Sequence, residues 1–459
     1  MALGNSLWFE HAWLPDGWAR DVLVEVLADG RIGDVRANVA QPSTGTVRMN
    51  HALVPAMANL HSHAHQRAMA GLTERRGPSD DSFWTWRALM YRLLGDIQPH
   101  HFEAIAALVY KEMLEAGYAT VGEFHYLHHA ANGAPFSNPA EMCERIASAA
   151  HSTGIGLTLL PVRYASGGID GRPIQGAQAR FATSLDQYQR LMSGALAAVG
   201  HLDDDAVLGI APHSLRAVPP DELRATLAMG LEGPVHIHIA EQQAEINEVV
   251  EHTGARPVRW LLDEVGVTPN WCLVHATHMD EVETQMLALS GAVAGLCPIT
   301  EANLGDGIFN GVAFRELGGV YGVGSDSNVN ISLSEELRTL EYSQRLKSQG
   351  RALMAAPESS VGQTLYYDAL VGGAKALGRH CGAIESGRWA DLTSLDLRAL
   401  TFAGASIEQT LDAWIFAGSD RGVVSDVWSA GRHQVVDGVH VNAQEIEVNY
   451  RTAMTELFE

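Results

Sequence analysis

The middle of the chain alternates short apolar runs with helical patterns, and this alternation restricts its fold more than any other feature. The sequence predicts buried parallel strands at Tyr118–Val121, Ile155–Pro161, Val207–Ala211, Pro234–Ile239, Trp271–Val274, Ala292–Leu296 and Val320–Val323. One helical pattern between them closes at Gly117, and another begins at Pro219-Pro220-Asp221-Glu222. Strand–helix units repeated over roughly 300 residues favour a TIM-like (β/α)8 barrel over an open sheet.

The two ends of the chain differ from the middle, because both consist of short β-type runs separated by tight turns. Pro15-Asp16-Gly17 and Ala28-Asp29-Gly30 separate such runs near the start, and Asp437-Gly438 does so near the end. We therefore predict an α/β protein in which both termini build one small β-sandwich domain. The predicted segments are residues 1–55 and 381–459 for the two parts of that domain and residues 56–380 for the barrel.

Length and composition narrow the function classes. A chain of 459 residues with 46% hydrophobic and 19% charged residues suits a large globular barrel with an accessory domain. The net charge of -23 argues against a nucleic-acid partner, which would need a basic face. Neither a signal peptide nor an apolar run of about eighteen residues is evident, so we expect no membrane partner and a cytoplasmic location. The frequency of dimers among barrels of this size favours a homodimer.

Three histidines, His61, His63 and His65, stand at every second position after the apolar run Ala52–Met57. His61 and His63 would point to the same side of an extended segment, so both could reach one ion. His65 shares that parity, and His63 with His65 is therefore a rival pair. The alternative for such a motif is a set of hydrogen-bonded histidines without a metal.

Further candidate ligands stand at the ends of three predicted strands. His238 closes the first, with Glu241 three residues later, and His275 closes the second. Asp326 follows the third, a glycine-rich run. Because strand ends converge at one mouth of a barrel, these groups would meet there. Three imidazoles and a carboxylate form a plausible catalytic site for one divalent ion, for which Zn²⁺ is the first choice and iron or manganese remain open.

These motifs resemble the amidohydrolase superfamily, and within it the deaminase branch that uses one metal. The shared motifs are Asn59-Leu60-His61-Ser62-His63, His238-x-x-Glu241, His275, Ser325-Asp326 and Gly387-x-x-Ala390-Asp391-Leu392. Other segments are similar to the iminohydrolases of histidine degradation that act on N-formimino-L-glutamate. They are His63-Ala64-His65-Gln66-Arg67, Phe83-Trp84-Thr85-Trp86-Arg87, Gly122-Glu123-Phe124-His125-Tyr126, Ala211-Pro212-His213-Ser214-Leu215-Arg216, Leu273-Val274-His275-Ala276-Thr277-His278 and Thr300-Glu301-Ala302-Asn303-Leu304-Gly305-Asp306-Gly307.

The resemblance implies a ligand set, which also decides against His65, and a set of catalytic roles. The implied metal ligands are His61, His63, His238 and Asp326. Glu241 would carry protons between the attacking water and the departing nitrogen, Asp326 would orient that water, and His275 would stabilise developing charge. The implied reaction is the hydrolytic deimination of N-formimino-L-glutamate to N-formyl-L-glutamate and ammonia.

A substrate with two carboxylates needs guanidinium groups that bind carboxylate oxygens in pairs. Arg216 lies just after a predicted strand end and Arg87 lies in the aromatic segment after the first strand. The other candidate substrate-binding residues are Gln66, Tyr126 and His213. Two alternatives remain: a related deaminase acting on guanine, a pterin or an adenosine derivative, and a non-catalytic scaffold stabilised by the metal. The scaffold would have no use for Glu241 or His275.

Overall fold

Strands and helices alternate along the middle of the chain in the computed structural model, which describes residues 5–74 and 83–459. The strands are β1 Asn5–Leu14, β2 Gly17–Val26, β3 Ile32–Arg36, β4 Val47–Pro55, β5 Met57–Ser62, β6 Tyr118–His125, β7 Gly156–Arg163, β8 Val207–Leu208, β9 Ala211–Pro212, β10 Val235–Ile239, β11 Trp271–His275, β12 Val293–Leu296, β13 Val320–Val323, β14 Leu392–Leu395, β15 Val424–Ser429, β16 Arg432–Val436 and β17 Val439–His440.

The helices lie mainly between the strands of the middle segment. They are α1 Phe83–Leu94, α2 Pro99–Glu115, α3 Glu141–Thr153, α4 Leu185–Val199, α5 Pro220–Leu227, α6 Gln243–Thr253, α7 Pro257–Val265, α8 Glu281–Ser290, α9 Pro298–Leu304, α10 Gly311–Glu316, α11 Leu333–Ser348, α12 Val361–Ala376, α13 Thr410–Ala417 and α14 Ala443–Phe458. The helical pattern predicted to close at Gly117 is α2, whose capping residue is Ala116, and Gly117 follows with φ of +97°.

The parallel strands of the middle segment form a barrel from two sheets. β5, β6, β7 and β8 form one parallel sheet, with β9 paired to β7, and β10 to β13 form the other in chain order. Isolated parallel bridges join the two sheets on both sides, at Ile210–Val235 and Ser214–His238 on one side and at Ser62–Asp326 on the other. The predicted (β/α)8 fold class is confirmed, and the carboxyl ends of its strands share one mouth.

The predicted strand Val207–Ala211 was wrong in detail, because the structure divides it into β8 and β9. Gly209 lies between them in a tightly packed position. A Cβ atom there would come within 2.5 Å of Leu160 Cδ2 and 2.8 Å of Pro234 O. The chain therefore continues to the barrel mouth, but the ladder of strand pairing is interrupted.

Both termini contribute to one eight-stranded sheet, in the order β17-β16-β15-β14-β4-β1-β2-β3. Its own apolar cluster includes Phe9 and Trp428, whose ring centroids are 6.0 Å apart in an edge-on contact. The apolar run Ala52–Met57 crosses from this sheet to the barrel: β4 ends at Pro55, and β5 begins at Met57. Between them the Ala56 amide donates to Asp391 O at 3.0 Å, which fixes the crossing point.

A helix in residues 5–74 or 83–459 would have to be both long and apolar to span a membrane. None of the helices in these ranges meets both requirements.

Candidate metal centre and substrate cleft

Four side chains converge at the barrel mouth, and we call them the histidine cluster: His61, His63, His238 and Asp326. The three Nε2 atoms lie 3.0 Å (His61–His238), 3.2 Å (His61–His63) and 3.3 Å (His63–His238) apart. Asp326 Oδ1 is 3.3 Å from His63 Nε2 and 3.6 Å from His61 Nε2. Ligands at about 2.1 Å from a tetrahedral ion are separated by comparable distances, so the donor set fits a divalent metal.

Backbone carbonyls orient two of the three imidazoles towards this centre. His63 Nδ1–H donates to Phe124 O at 2.8 Å, and His238 Nδ1–H donates to His213 O at 3.0 Å. When these rings are neutral, each Nε2 lone pair is left for a metal. Burial lowers the pKa of His63 to about 3, against the opposing effect of the Phe124 hydrogen bond, and lowers the pKa of His61 and His238 well below 6.5.

Asp326 reaches the cluster because its segment is bonded directly to the strand that carries His61. The Asp326 amide donates to His61 O at 3.0 Å, and the His63 amide donates to Asp326 O at 2.8 Å. Gly324 permits this approach, since a Cβ atom there would lie 2.7 Å from His61 N. Asp326 itself has φ of +45°, an unfavourable backbone conformation for an L residue that the surrounding hydrogen bonds maintain.

Glu241 and His275 lie beside the histidine cluster. His275 Nε2 is 3.9 Å from Glu241 Oε1 and 3.8 Å from Asp326 Oδ2. Burial lowers the pKa of His275, but the nearby carboxylates, Glu241 first among them, raise it more, to about 10. This imidazole is therefore a cation at neutral pH when no metal is bound, and it can hold a proton at the mouth of the barrel.

Glu301 orients His275 from the side away from the cluster. Its Oε1 atom lies 3.3 Å from His275 Nδ1 and accepts the Cys297 amide at 2.9 Å. Sequence reasoning had quoted Glu301 within a motif without giving it a role. The sequence signal that could have identified Glu301 is a glutamate in the first turn of a helix that directly follows a strand end.

A cleft opens over the histidine cluster. The structure brings together in its lining all five residues predicted to bind substrate, which are Gln66, Arg87, Tyr126, His213 and Arg216. Glu241, His275 and Asp326 line the same cleft. The predicted catalytic and substrate-binding groups are thus all accessible to one small molecule.

Gln66 and Tyr126 form a hydrogen-bonded pair on the cleft wall. Gln66 Nε2 donates to Tyr126 Oη at 2.8 Å, and Tyr126 packs edge-on against the His63 ring at a centroid distance of 5.1 Å. Gln66 Oε1 is buried and has no hydrogen-bond partner within the described ranges. This carbonyl oxygen can therefore accept an N–H group from a ligand that enters the cleft.

Arg87, Arg216, Tyr91 and Tyr164 line another part of the cleft, which we call the arginine–tyrosine wall. Arg87 Nε donates to Tyr91 Oη at 2.6 Å, and Arg87 Nη2 donates to Tyr164 Oη at 3.4 Å. Sequence reasoning missed both tyrosines. Tyr91 was detectable as the residue four positions after Arg87 on α1, but Tyr164 follows β7 and meets Arg87 only in the folded chain.

The arginine–tyrosine wall connects to the histidine cluster through His213. The ring centroid of His213 lies 5.0 Å from that of Tyr164 and 5.0 Å from that of His238. Burial and then the positive charges of Arg216 and Arg87 lower the pKa of His213 well below 6.5. His213 is therefore neutral, and it separates the two guanidinium groups from the cluster.

His65, the rival ligand, lies outside the histidine cluster. It belongs to a short 3-10 helix, Ala64–Met69, that follows β5. Its ring packs edge-on against Tyr126, with centroids 4.7 Å apart, and lies 6.0 Å from the ring of Phe102. Side chains alternate in direction only along an extended strand, and β5 ends at Ser62. His65 lies beyond that end, in the 3-10 helix, so its even spacing from His61 and His63 does not bring it to the same ion.

A family model supplies the identification. The model described as the amidohydrolase family matches residues 52–433, which is most of the chain. The chain belongs to the amidohydrolase family. A second model, described as the N-terminal domain of formimidoylglutamate deiminase HutF, matches residues 7–44. Membership makes the chain a hydrolase and confirms the resemblance drawn from the sequence motifs.

Individual proteins are similar to the chain over 90% or more of its length. A formimidoylglutamate deiminase of Pseudomonas aeruginosa is 47% identical over 99% of this chain and 100% of its own length. An 8-oxoguanine deaminase of the same species is 27% identical over 90% of this chain and 89% of its own. The crystal structure of an amidohydrolase from Brucella melitensis superposes with a TM-score of 0.94 at 45% identity, covering 99% of this chain and 100% of that one.

Proposed function

We propose that this protein hydrolyses N-formimino-L-glutamate to N-formyl-L-glutamate and ammonia, a step of histidine degradation. The observation that carries the proposal is one cleft whose lining contains three members of the histidine cluster and two guanidinium groups. The 47% identity to a formimidoylglutamate deiminase over the full chain supports it, as does the match of residues 7–44 to the N-terminal domain of such enzymes. The reaction breaks a carbon–nitrogen bond of a linear amidine.

The histidine cluster would hold one divalent ion, and we propose Zn²⁺. The fit rests on the chemistry of the donor set: three Nε2 atoms and one carboxylate oxygen that all lie within 4.8 Å of one another. When bound, such an ion acts as a Lewis acid and makes water nucleophilic near neutral pH. Asp326 is a candidate both for ligation and for orienting the water.

Glu241 and His275 would manage the protons of the reaction. We assign Glu241 Oε1 the transfer of a proton from the attacking water to the departing nitrogen, first as a base and then as an acid. His275 would hold its proton at Nε2, which faces Glu241 at 3.9 Å, and stabilise negative charge that develops during the attack. Glu301 would keep His275 in this orientation through Nδ1.

The substrate's two carboxylates would bind at the arginine–tyrosine wall. Guanidinium groups offer paired N–H donors to a carboxylate, and both Arg87 and Arg216 line the cleft. Gln66 would accept an N–H of the formimino group at its unpartnered Oε1, with Tyr126 holding the amide in place. His213 is a further candidate for hydrogen bonding to the substrate.

The proposal also includes the domain boundaries of the chain. We propose the division into residues 1–55, 56–380 and 381–459, supported by the crossing from β4 to β5 at Ala56; residues 1–4 of the first segment lie outside the described residues. A homodimer and a cytoplasmic location remain predictions from the sequence. The partner that the proposed reaction requires is a small dicarboxylate.

The test is ammonia release from N-formimino-L-glutamate by purified protein of known metal content, beside guanine, a pterin and adenosine derivatives. We expect turnover of the formimino compound alone, with about one metal per chain. Turnover of a base instead would keep the metal centre and overturn the assignment of Arg87 and Arg216. Metal binding without turnover of any of these substrates would favour the scaffold.

A further inference from the structure

The hydroxyl groups of Tyr164 and Tyr91 are set up to donate hydrogen bonds into the cleft. Tyr164 Oη accepts Gln178 Nε2 at 2.9 Å and Arg87 Nη2 at 3.4 Å. A phenol oxygen has two lone pairs and one hydrogen, so both acceptor positions are used. Among the residues that the structure describes, no acceptor is assigned to the hydrogen of this hydroxyl, although Tyr164 is only 2% exposed.

Tyr91 repeats this arrangement on α1. Its oxygen accepts Arg87 Nε at 2.6 Å, and no acceptor for its own hydrogen is assigned within the described ranges. Burial raises the pKa of Tyr91, and Tyr164 raises it further, against the opposing charges of Arg87 and Arg216. The Tyr91 phenol is therefore a neutral donor at physiological pH, and the hydroxyls of Tyr91 and Tyr164 both contact the guanidinium group of Arg87.

We propose that Tyr164 and Tyr91 are substrate-binding residues that donate hydrogen bonds to the carboxylate held by Arg87. The inference rests on the proposed function and extends it, because it names which groups recognise that carboxylate. Arg87 presents its Nε and Nη2 hydrogens to the phenols, so the phenols turn their own hydrogens to the ligand. Hydrogen bonds to an ionised acceptor are stronger than those between neutral groups, and this favours a carboxylate over a neutral ligand.

Binding of glutarate, a dicarboxylate without the reacting group, tests the proposal separately from turnover. In Tyr164→Phe the ring and its packing remain, and one donor is lost. We expect the dissociation constant of glutarate and the KM of N-formimino-L-glutamate to rise about tenfold or more, with kcat little changed and metal content unchanged. Tyr188→Phe is the matched control, because its hydroxyl donates to Pro161 O at 3.0 Å and it does not belong to the cleft lining.

A double-mutant cycle separates direct contact from an effect through Arg87. If Tyr164 touches the carboxylate, Tyr164→Phe weakens glutarate binding further in an Arg87→Met background. If Tyr164 merely positions Arg87, the second substitution has no additional effect, and that result overturns the proposal. Gln178→Met, which removes a donor to Tyr164 and leaves the phenol, should change the dissociation constant less than Tyr164→Phe.

Two single-carboxylate analogues, N-formiminoglycine and 4-formiminoaminobutyrate, each retain one carboxylate of the substrate. We expect Tyr164→Phe and Tyr91→Phe to impair the analogue whose carboxylate lies at Arg87 and to leave the other unchanged. Equal effects on both, or none on either, would overturn the proposal. If the wild type turns over N-formimino-L-glutamate and the tyrosine variants behave like the wild type, the phenol contacts alone are refuted. If the wild type neither turns over this substrate nor binds glutarate, both proposals are refuted.

Discussion

The arginine–tyrosine wall and three members of the histidine cluster line the same cleft, but different kinds of interaction hold the two regions. Short side chains on or next to strand ends build the cluster, and backbone carbonyls orient His63 and His238. Long side chains from α1 and from the segments after β7 and β9 build the wall, and side-chain hydrogen bonds join three of them, Arg87, Tyr91 and Tyr164. The cluster therefore suits chemistry that needs fixed geometry, and the wall suits the selection of a substrate.

The first prediction tests whether the groups at the histidine cluster control kcat, whereas the arginine–tyrosine wall controls KM. Glu241→Gln keeps the size of the side chain and removes its ability to accept a proton. We expect kcat to fall roughly a hundredfold to ten-thousandfold while KM and metal content stay nearly unchanged. Steady-state kinetics with metal analysis would check this.

The control for that variant is Glu251→Gln, on the exposed side of α6, which should behave as the wild type. Substantial residual turnover in Glu241→Gln would remove Glu241 from the proton-transfer role. A loss of metal would instead place Glu241 among the metal ligands. This variant would then no longer separate the kinetic roles of the histidine cluster and the arginine–tyrosine wall.

The second prediction applies the same comparison to the wall. Arg216→Met retains most of the apolar length of the side chain and removes its charge. We expect KM for N-formimino-L-glutamate to rise roughly tenfold to a hundredfold, because a charged hydrogen-bond partner is lost in both the ground state and the transition state. Arg190→Met, at an exposed position of α4, is the matched control.

An unchanged KM in Arg216→Met would contradict the assignment of Arg216 to carboxylate binding. A fall in kcat alone would place Arg216 with the catalytic groups, and the contrast between fixed chemistry and substrate selection would then no longer follow the two regions.

The third prediction has the smallest expected effect and tests which histidines hold the metal. Both ring nitrogens of His65 are buried and lack a hydrogen-bond partner in the described part of the chain. Replacing a group without partners by an apolar one should cost little, so His65→Leu should retain about one metal per chain. His63→Leu should lose the metal, and metal analysis of the two variants side by side would check the difference. Metal loss in both would restore His65 as a ligand candidate.

The sequence could predict the barrel because its signals are local and repeated. Buried parallel strands read as apolar runs, and six of the seven predicted runs correspond to single strands of the structure. The exception, Val207–Ala211, was divided by packing around Gly209, which depends on Leu160 and Pro234 far along the chain. A contact of that kind leaves no periodic pattern in the run itself.

The sequence by itself determined which residues stand at the strand ends, and hence the histidines and carboxylates offered at the barrel mouth. That information is local, since a strand end and its side-chain parity depend on neighbouring residues. Tertiary structure alone decided that His65 turns away into a 3-10 helix, that Glu301 bonds His275, and that Tyr164 meets Arg87 across 77 positions of the chain. These contacts join segments distant in sequence, and only the closed barrel brings such segments within hydrogen-bonding distance.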